Sequence, residues 1–303
     1  MTTRLRLVVT GSQGQVVRAL AECGPQLDVD VIALGRPQLD LLTPATIFGA
    51  LETAKPDVVV SAAAYTAVDL AESNAAEAHS VNAAGAGEVA RAAASLGVPV
   101  VHLSTDYVFD GALDRPYRED DPTGPVGAYG RSKLAGEQAV AAANPDHVIL
   151  RTAWVYSPFG KNFVRTMLNL AATREEINVV ADQHGSPTSA HDIADGVIRV
   201  ARNLKSNAAP NLRGVFHMTA QGEATWAEFA EAIFAASRAA GGPFSRVKPI
   251  PTTDYPTPAR RPANSRLDNA KLAREHGVSL PHWRDALAIC MARLVPGEFR
   301  KAS

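Results

Sequence analysis

The sequence has few cysteines and no long apolar run. Cys23 and Cys290 lie far apart and lack metal-ligand spacing, so a disulfide framework and a cysteine zinc site are excluded and reduced, buried thiols are predicted. No run of about 18 or more apolar residues occurs, so no membrane span is expected. The first apolar run, residues 5–9, is too short for a signal-peptide core. We therefore expect a cytoplasmic protein.

An excess of one charge sign is also missing. The chain has 30 Lys and Arg against 31 Asp and Glu, for a formal net charge of −1. No global field recruits nucleic acid or an anionic membrane surface, so neither partner is expected. A charged small molecule would have to be neutralised by local basic residues. With 46% hydrophobic residues, the 303-residue chain is typical of one large α/β unit or of two domains sharing an interface.

Short apolar runs alternate with longer helical patterns in the first half of the chain. The predicted strands are residues 5–10, 30–34, 57–61, 98–104 and 147–152, and the predicted helices between them include 44–54, 75–96 and 129–143. Near-continuous apolar strands separated by helices indicate a parallel sheet covered on both faces. The predicted fold class is α/β, a doubly wound Rossmann-type sheet that binds ligands at the carboxyl ends of its strands.

The pattern changes after about residue 153. Helices are predicted at 163–173, 191–203 and 226–240, and Thr225 with Glu228 has the spacing of a capping box. The Pro- and Arg-rich segment 249–266 is long and irregular, which is typical of a binding element. We predict a cofactor-binding Rossmann domain at 1–153, to which later segments return. Residues 154–303 would be mainly a smaller C-terminal substrate-binding lobe.

The most informative feature is the pair Tyr129 and Lys133. Residues four apart share one face of a helix and can reach a common ligand. A free tyrosine titrates near pKa ~10, and a neighbouring ammonium lowers that pKa, so the phenol can become a usable acid. Thr105, at a predicted strand end, offers a second hydroxyl for a carbonyl oxygen. Taken alone, the pair would more often be an ordinary surface pair, and the rest of the chain must decide.

A glycine-containing turn follows the first predicted strand and opens a helix. Gly11 and Gly14 allow a tight turn close to a pyrophosphate, and the backbone at Gln15 and Val16 begins the helix that would stabilise its charge. Val17 stands where dinucleotide-binding turns often have a third glycine. A two-glycine turn also suits a plain strand–helix connection, but its position directly after strand one favours a dinucleotide.

The end of the second strand favours NADPH. NAD-binding sheets usually place an acid there, whereas this chain has Arg36 and no acid before Asp40. A guanidinium can pair with a 2′-phosphate, although Arg36 could equally be a solvated loop residue and NADH could also be accepted. Asp40 and Leu41 of this loop are assigned to the cofactor site. Three residues after the third strand are assigned to it as well, against the adenosine and ribose: Ala63, Ala64 and Tyr65.

Taken together, these motifs resemble the dTDP-4-dehydrorhamnose reductases, a family of the extended short-chain dehydrogenases. The resemblance covers almost the whole chain. It is carried by residues 62–72, 104–109, 129–137, 151–156, 182–188 and 251–267. The segment 256–262 is the most discriminating part. The sequence departs from the family pattern at Val17, at Ser61, where asparagine is usual, and at Tyr65, where histidine is common.

The resemblance implies reduction of the C4 ketone of dTDP-4-dehydro-β-L-rhamnose by NADPH. Tyr129 would give the proton, and Lys133 would bind the nicotinamide ribose and lower the Tyr129 pKa. Thr105, with Asp106 and Trp154, would lie beside the sugar, although Trp154 could instead be a core residue. The substrate diphosphate would be paired by basic residues of the irregular segment, some of which could instead pair with surface acids: Arg260, Arg261 or Arg266.

Other functions of the same fold stay open. A 4,6-dehydratase would need a second acid after Thr105-Asp106, where this chain has Tyr107. Another nucleotide-sugar 4-ketoreductase, a 4-epimerase and a non-catalytic NADP-binding regulatory subunit remain as alternatives.

The resemblance also bears on metal and assembly. Some family members are magnesium-linked dimers, but the matching positions here are Ala19, His191 and Arg293, none of which offers a carboxylate. Mg²⁺ is therefore not expected, and neither is any other metal. We predict a monomer or a metal-independent homodimer.

Overall fold

The structure, a computed structural model, describes residues 4–299. The strands are β1 Leu5–Thr10, β2 Val29–Leu34, β3 Val58–Ser61, β4 Val100–Thr105, β5 His147–Thr152, β6 Val155–Tyr156, β7 Glu176–Val180, β8 His184–Gly185, β9 Thr188–Ser189, β10 Gly214–His217, β11 Ala224–Thr225 and β12 Arg246–Ile250. The α-helices are α1 Gln15–Gln26, α2 Ile47–Ala54, α3 Val68–Ala71, α4 Ala75–His79, α5 Ala86–Ser95, α6 Ala128–Ala143, α7 Phe163–Ala171, α8 Ala190–Ser206, α9 Trp226–Ala239, α10 Ala270–His276 and α11 Trp283–Leu294.

Six strands form one parallel sheet in the order β10-β5-β4-β3-β1-β2. Five of them are the strands expected from the sequence, and the doubly wound prediction is confirmed. The sixth, β10, was not predicted, because its four residues lie within a region of irregular pattern. The strand order reverses between β1 and β3. In open α/β sheets such a reversal leaves a crevice at the carboxyl ends, where ligands bind.

Both faces of this sheet are covered, which explains why its strands are apolar at successive positions. Leu7 and Val9 point into a core shared with α1 and α8, while Val8 between them points into a second core shared with α2, α5 and α6. All three side chains have no exposed surface. The period-2 alternation of a strand therefore puts an apolar residue on each face in turn.

A separate core lies in the second half of the chain. It is built from α7, α9 and α11 around large side chains that include Phe229, Ile233 and Trp283. Three two-stranded sheets accompany it, pairing β7 with β12, β8 with β11 and β6 with β9. In contrast, α8 and β10 return to the main sheet, so the chain order and the two cores do not coincide.

Helix boundaries follow the sequence expectation with local differences. Thr225 and Glu228 form the predicted capping box at the start of α9. The predicted helix 75–96 is α4 and α5 joined by a π-helical segment, Ser80–Gly85. The predicted helix 44–54 begins with the 3₁₀ turn Pro44–Thr46, and Thr43 before it makes no side-chain cap. α10 and α11 were not predicted.

Candidate active site

The glycine turn after β1 is shaped for a phosphate group. Gly11 has φ +96°, a backbone conformation that residues with a Cβ rarely adopt. Gly14 is the N-cap of α1, no side chain caps that helix, and its first turn contains no acid. The Thr10 hydroxyl accepts hydrogen bonds from the Ala62 and Ala63 amides at 3.0 Å, tying the ends of β1 and β3 together. The open, uncapped helix start fits a dinucleotide pyrophosphate.

The Gln15 side chain contacts a distant part of the chain. Its Oε1 accepts from Ser157 Oγ at 2.7 Å and from Asn162 Nδ2 at 2.9 Å, and its Nε2 donates to the Val155 carbonyl at 3.4 Å. Its amide therefore joins α1 to the segment after β6. These partners are about 140 residues away in sequence, so no local pattern reveals them. Val16 is partly buried against the core of the sheet.

The loop after β2 contains three residues assigned to the cofactor site, and their surroundings differ. Arg36 is exposed and has no hydrogen-bond or ion-pair partner among residues 4–299, so its guanidinium is available to a 2′-phosphate. Asp40 accepts instead from the Leu42 amide of its own turn at 3.0 Å. The Leu41 side chain is buried in the core with α2 and α5. Asp40 and Leu41 therefore both have local structural roles. These roles restrict the contacts that either residue could make to a cofactor.

A buried asparagine that we did not predict organises the next part of the site. Asn82 Oδ1 accepts from the Tyr65 amide at 2.8 Å, and its Nδ2 donates to the Tyr65 carbonyl at 3.0 Å and to Ser132 Oγ at 2.9 Å. It thereby fixes the backbone after Ala63 and Ala64 relative to α6. Asn82 lies in the π-helical segment, and an amide inside an alanine-rich apolar stretch was the available sequence signal.

Thr105 and Tyr129 meet at the end of β4. Thr105 is the last residue of the strand, and its Oγ1 donates to Asp106 Oδ1 at 2.9 Å. Tyr129 is the second residue of α6, and its ring contacts that of Tyr107 edge-to-face with centroids 5.5 Å apart. The helix approaches closely because Gly130 has no side chain; a Cβ there would overlap the Tyr107 carbonyl oxygen.

The protonation of the pair differs from the sequence expectation. Burial, followed by the negative charge of Asp106, raises the pKa of Tyr129, while interaction with the Thr105 hydroxyl opposes the rise. The net shift is therefore opposite to the expected lowering of this pKa, and the Lys133 ammonium donates to the Leu103 carbonyl at 2.6 Å. Burial lowers the pKa of Lys133 to about 8. Tyr129 is therefore a protonated phenol at neutral pH, which is the form a proton donor needs.

Asp106 is a buried acid at this site. Burial raises its pKa to about 6, against the opposing hydroxyls of Ser265 and Thr105. Its Oδ2 completes no hydrogen bond among the described residues. A carboxyl with one unsatisfied oxygen beside Thr105 is suited to a hydroxyl-bearing ligand.

A second buried group supports α6 from behind. Glu137 accepts from Arg151 through both carboxylate oxygens, at 2.9 and 2.7 Å, and from Ser104 Oγ at 2.5 Å. Both charged side chains are 5% exposed. This bidentate pair fixes α6 on β4 and β5, and we did not predict it.

Trp154 is held on an aromatic stack. Its φ is +48°, which is unusual for a bulky residue and is a conformation that clusters at functional sites. The indole stacks on Trp226 with centroids 3.5 Å apart and planes 10° apart. Trp226 Nε1 in turn donates to Gln183 Oε1 at 3.2 Å. Trp154 is only partly buried, so one part of its surface is available to a ligand.

The three arginines of the irregular segment differ in their partners. Arg261 pairs with Asp69 at 2.9 Å, and Arg266 pairs with Glu223 at 2.9 Å and donates to Asn264 Oδ1 at 2.8 Å. Pairing with acids was the alternative kept open for these residues. Arg260 is exposed and has no hydrogen-bond or ion-pair partner in the described part of the chain.

The positions matched to the family's metal contact form an ion cluster. Ala19 is buried in α1. Glu22 Oε2 lies 2.8 Å from Arg293 Nη1 and 3.1 Å from His191 Nε2. The Glu22 carboxylate, which was not predicted there, is thus already neutralised. Within residues 4–299, no group of three or more His, Cys, Asp or Glu side chains is arranged to hold a metal ion.

No described helix combines the length and the apolar character needed to cross a membrane.

The doubly wound sheet, the uncapped glycine turn and the Thr105–Tyr129–Lys133 group define a Rossmann-type reductase of the extended short-chain class. The family model described as the RmlD substrate binding domain matches residues 5–295. A dTDP-4-dehydrorhamnose reductase of Sinorhizobium fredii is 54% identical over 283 residues, covering 93% of this chain and 95% of the relative. The chain belongs to the dTDP-4-dehydrorhamnose reductase family.

Two further comparisons bear on cofactor and substrate. The crystal structure of the Bacillus anthracis dTDP-4-dehydrorhamnose reductase in complex with NADP has a TM-score of 0.89 and 33% identity, and the match covers 96% of this chain and 100% of the other. A probable dTDP-4,6-dihydroxy-2-methyloxan-3-one 4-ketoreductase of Streptomyces antibioticus is 42% identical over 288 residues, covering 93% of each chain.

Proposed function

We propose that this protein reduces the C4 ketone of dTDP-4-dehydro-β-L-rhamnose with NADPH, giving dTDP-L-rhamnose. The observation that carries the proposal is the grouping of Thr105, Tyr129 and Lys133 at the carboxyl edge of the sheet, in a chain of this reductase family. A retained proton donor beside a dinucleotide turn supports catalysis over a purely regulatory role.

The cofactor would be held by the turn between Gly11 and Gly14, with Arg36 on the 2′-phosphate and Lys133 on the nicotinamide ribose. The backbone at Ala63, held by Thr10, and at Tyr65, held by Asn82, would face the adenosine side. When bound, NADPH would supply the hydride. The uncapped start of α1 and the unpaired Arg36 support this assignment, and so does the NADP complex of the Bacillus anthracis relative.

The protein's own groups handle the proton. As the carbonyl π electrons move onto the C4 oxygen, Tyr129 gives its phenolic proton to that oxygen and becomes a phenolate. The phenolate forms in a buried site where its pKa is high, so it needs a nearby cation, and Lys133 on the same helix face can supply it. Thr105 would hold the C4 oxygen by turning its hydroxyl from Asp106.

The sugar would lie between this group and Trp154, whose stack with Trp226 fixes its orientation. Arg260 is our candidate for the substrate diphosphate, because its guanidinium is unpaired while Arg261 and Arg266 already bind acids. We also propose that residues 1–153 act mainly as the cofactor domain and 154–303 mainly as the substrate lobe. The protein would work in the cytoplasm as a monomer or metal-independent homodimer.

A second candidate is reduction of another dTDP-linked 4-keto sugar. The Streptomyces antibioticus relative, whose name gives a different 4-keto substrate, favours keeping this candidate. The two substrates present the same ketone to the same proton donor, so the sugar ring and its substituents must discriminate between them.

The test is to follow the absorbance of reduced nicotinamide with enzymatically generated dTDP-4-dehydro-β-L-rhamnose, with Tyr129→Phe as the control variant. Rapid oxidation of NADPH and formation of dTDP-L-rhamnose would support the proposal. Turnover of only another 4-keto sugar would favour the second candidate. Substrate conversion without net NADPH consumption would indicate an epimerase, and NADPH binding without any turnover would indicate a regulatory subunit.

A further inference from the structure

The surroundings of Lys133 contain a side chain to which no role has been given. Lys133 is 3% exposed, and its Nζ donates to the Leu103 carbonyl at 2.6 Å and lies 3.3 Å from His102 Nε2. An ammonium has three donors and no acceptor, so a hydrogen bond between these nitrogens requires His102 Nε2 to be unprotonated. Two of the three N–H groups of Lys133 then donate to the Leu103 carbonyl and to His102. The third remains available to a ligand in the active site.

The other ring nitrogen of His102 completes the arrangement. Nδ1 lies 3.1 Å from Ser61 Oγ, and both residues are 1% exposed. With Nε2 accepting from Lys133, the ring proton belongs on Nδ1, which donates to Ser61. The chain from Ser61 to Lys133 thus links β3, β4 and α6 and fixes one tautomer of the imidazole.

Neighbouring charges favour a neutral His102. Burial is the largest cause that lowers the pKa of His102 well below its ordinary value. The positive charge of Lys133 is the second cause, and the charge of His147 acts in the same direction. From α6, Glu137 favours the Lys133 ammonium, but its carboxylate is already bound by Arg151 and Ser104. Of the groups near Lys133, His102 is therefore the neutral side-chain acceptor for its ammonium.

We propose that His102, oriented by Ser61, is a positioning residue that keeps Lys133 charged and directed toward the active site. The proposal rests on the catalytic role proposed for Lys133. It also gives a reason for serine at position 61, since a hydroxyl accepts from Nδ1–H and fixes the ring. Without the imidazole, one N–H of a buried ammonium would lose its partner, and the charged form would be less stable.

The experiment titrates Lys133 directly by NMR, in protein carrying lysine labelled with ¹³C at Cε. The chain has few lysines, and Lys133→Met assigns the signal. We expect His102→Asn to lower the pKa of Lys133 by about one unit, because the Asn side-chain oxygen reaches only the position of Nδ1. His102→Gln places an oxygen near the position of Nε2 and should keep the pKa of Lys133 within about half a unit of the parent value. Ser61→Ala should cause an intermediate shift. His79→Gln, at an exposed histidine of α4 that contacts neither His102 nor Lys133, is the matched control and should cause none.

The same variants are then assayed for reductase activity against pH. The alkaline limb of kcat/KM should move to lower pH in His102→Asn by the same amount as the NMR titration, and His102→Gln should restore it, because this limb reports the free enzyme. An unmoved Lys133 titration in folded His102→Asn would overturn the proposal, as would equal shifts in the Asn and Gln variants. If the NMR shifts occur but the parent protein turns over no 4-keto sugar, the positioning role stands and the proposed function fails.

Discussion

Replacing Tyr129 with phenylalanine is the most direct perturbation of the proposed chemistry. The change removes one hydroxyl and keeps the ring, whose edge-to-face contact with Tyr107 is retained. Since the lost interaction is a single polar contact with Thr105, we expect the free energy of unfolding to change by no more than about 1 kcal/mol. The fold and the cofactor site should therefore be intact.

The effect on turnover should be much larger. General acid catalysis contributes about 10²–10⁴-fold, equivalent to roughly 3–5 kcal/mol of barrier. Thr105 cannot readily substitute as the donor, because its aliphatic hydroxyl is a much weaker acid than a phenol, even when it turns from Asp106 to the C4 oxygen. We therefore expect kcat to fall by at least about 10²-fold.

The assay is NADPH oxidation with the 4-keto sugar, alongside NADPH binding measured by quenching of protein fluorescence. Tyr107→Phe is the matched control, since it makes the same change in the adjacent ring and should leave kcat within about threefold. A Tyr129→Phe enzyme with more than about half the parent rate would mean that another group donates the proton. Loss of NADPH binding in parallel would mean that the variant damages the site itself.

Three further outcomes are expected. Arg36→Ala should narrow the preference for NADPH over NADH in kcat/KM by about 10-fold or more, because an unpaired guanidinium is lost from the 2′-phosphate; equal use of both cofactors by the parent would remove Arg36 from the site. EDTA should change neither activity nor sedimentation, because His191 and Arg293 occupy the Glu22 carboxylate; activity that is lost and then restored by Mg²⁺ would contradict this. Asp106→Asn should raise the free energy of unfolding by roughly 1–3 kcal/mol at pH 8 and change it little at pH 4, in urea titrations at both values. Burial raises the pKa of Asp106 to about 6, so ionising the carboxyl costs stability as pH rises from about 4 through 6; a gain of equal size at both pH values would refute that origin.

The parallel sheet could be predicted from the sequence because its signals are local. Each of the first five strands is a short apolar run bounded by turns, and the glycine turn directly follows the first of them. The spacing of Tyr129 and Lys133 likewise needs only the period of a helix. The strand β10 was not predicted because four residues in the irregular stretch between two predicted helices carry too little signal, and only pairing with β5 makes them a strand.

The sequence by itself determined the fold class, the family and the residue types of the candidate site. Tertiary structure alone decided how those side chains are used: Gln15 faces Ser157 and Asn162, Arg261 pairs with Asp69, and Lys133 turns to Leu103 and His102. Local periodicity fixes elements because their hydrogen bonds and burial repeat over a few residues. The hydrogen bonds of individual side chains depend on partners up to about 190 residues away in sequence. Their charges depend on burial, which shifts pKa values in a direction that a sequence motif does not predict.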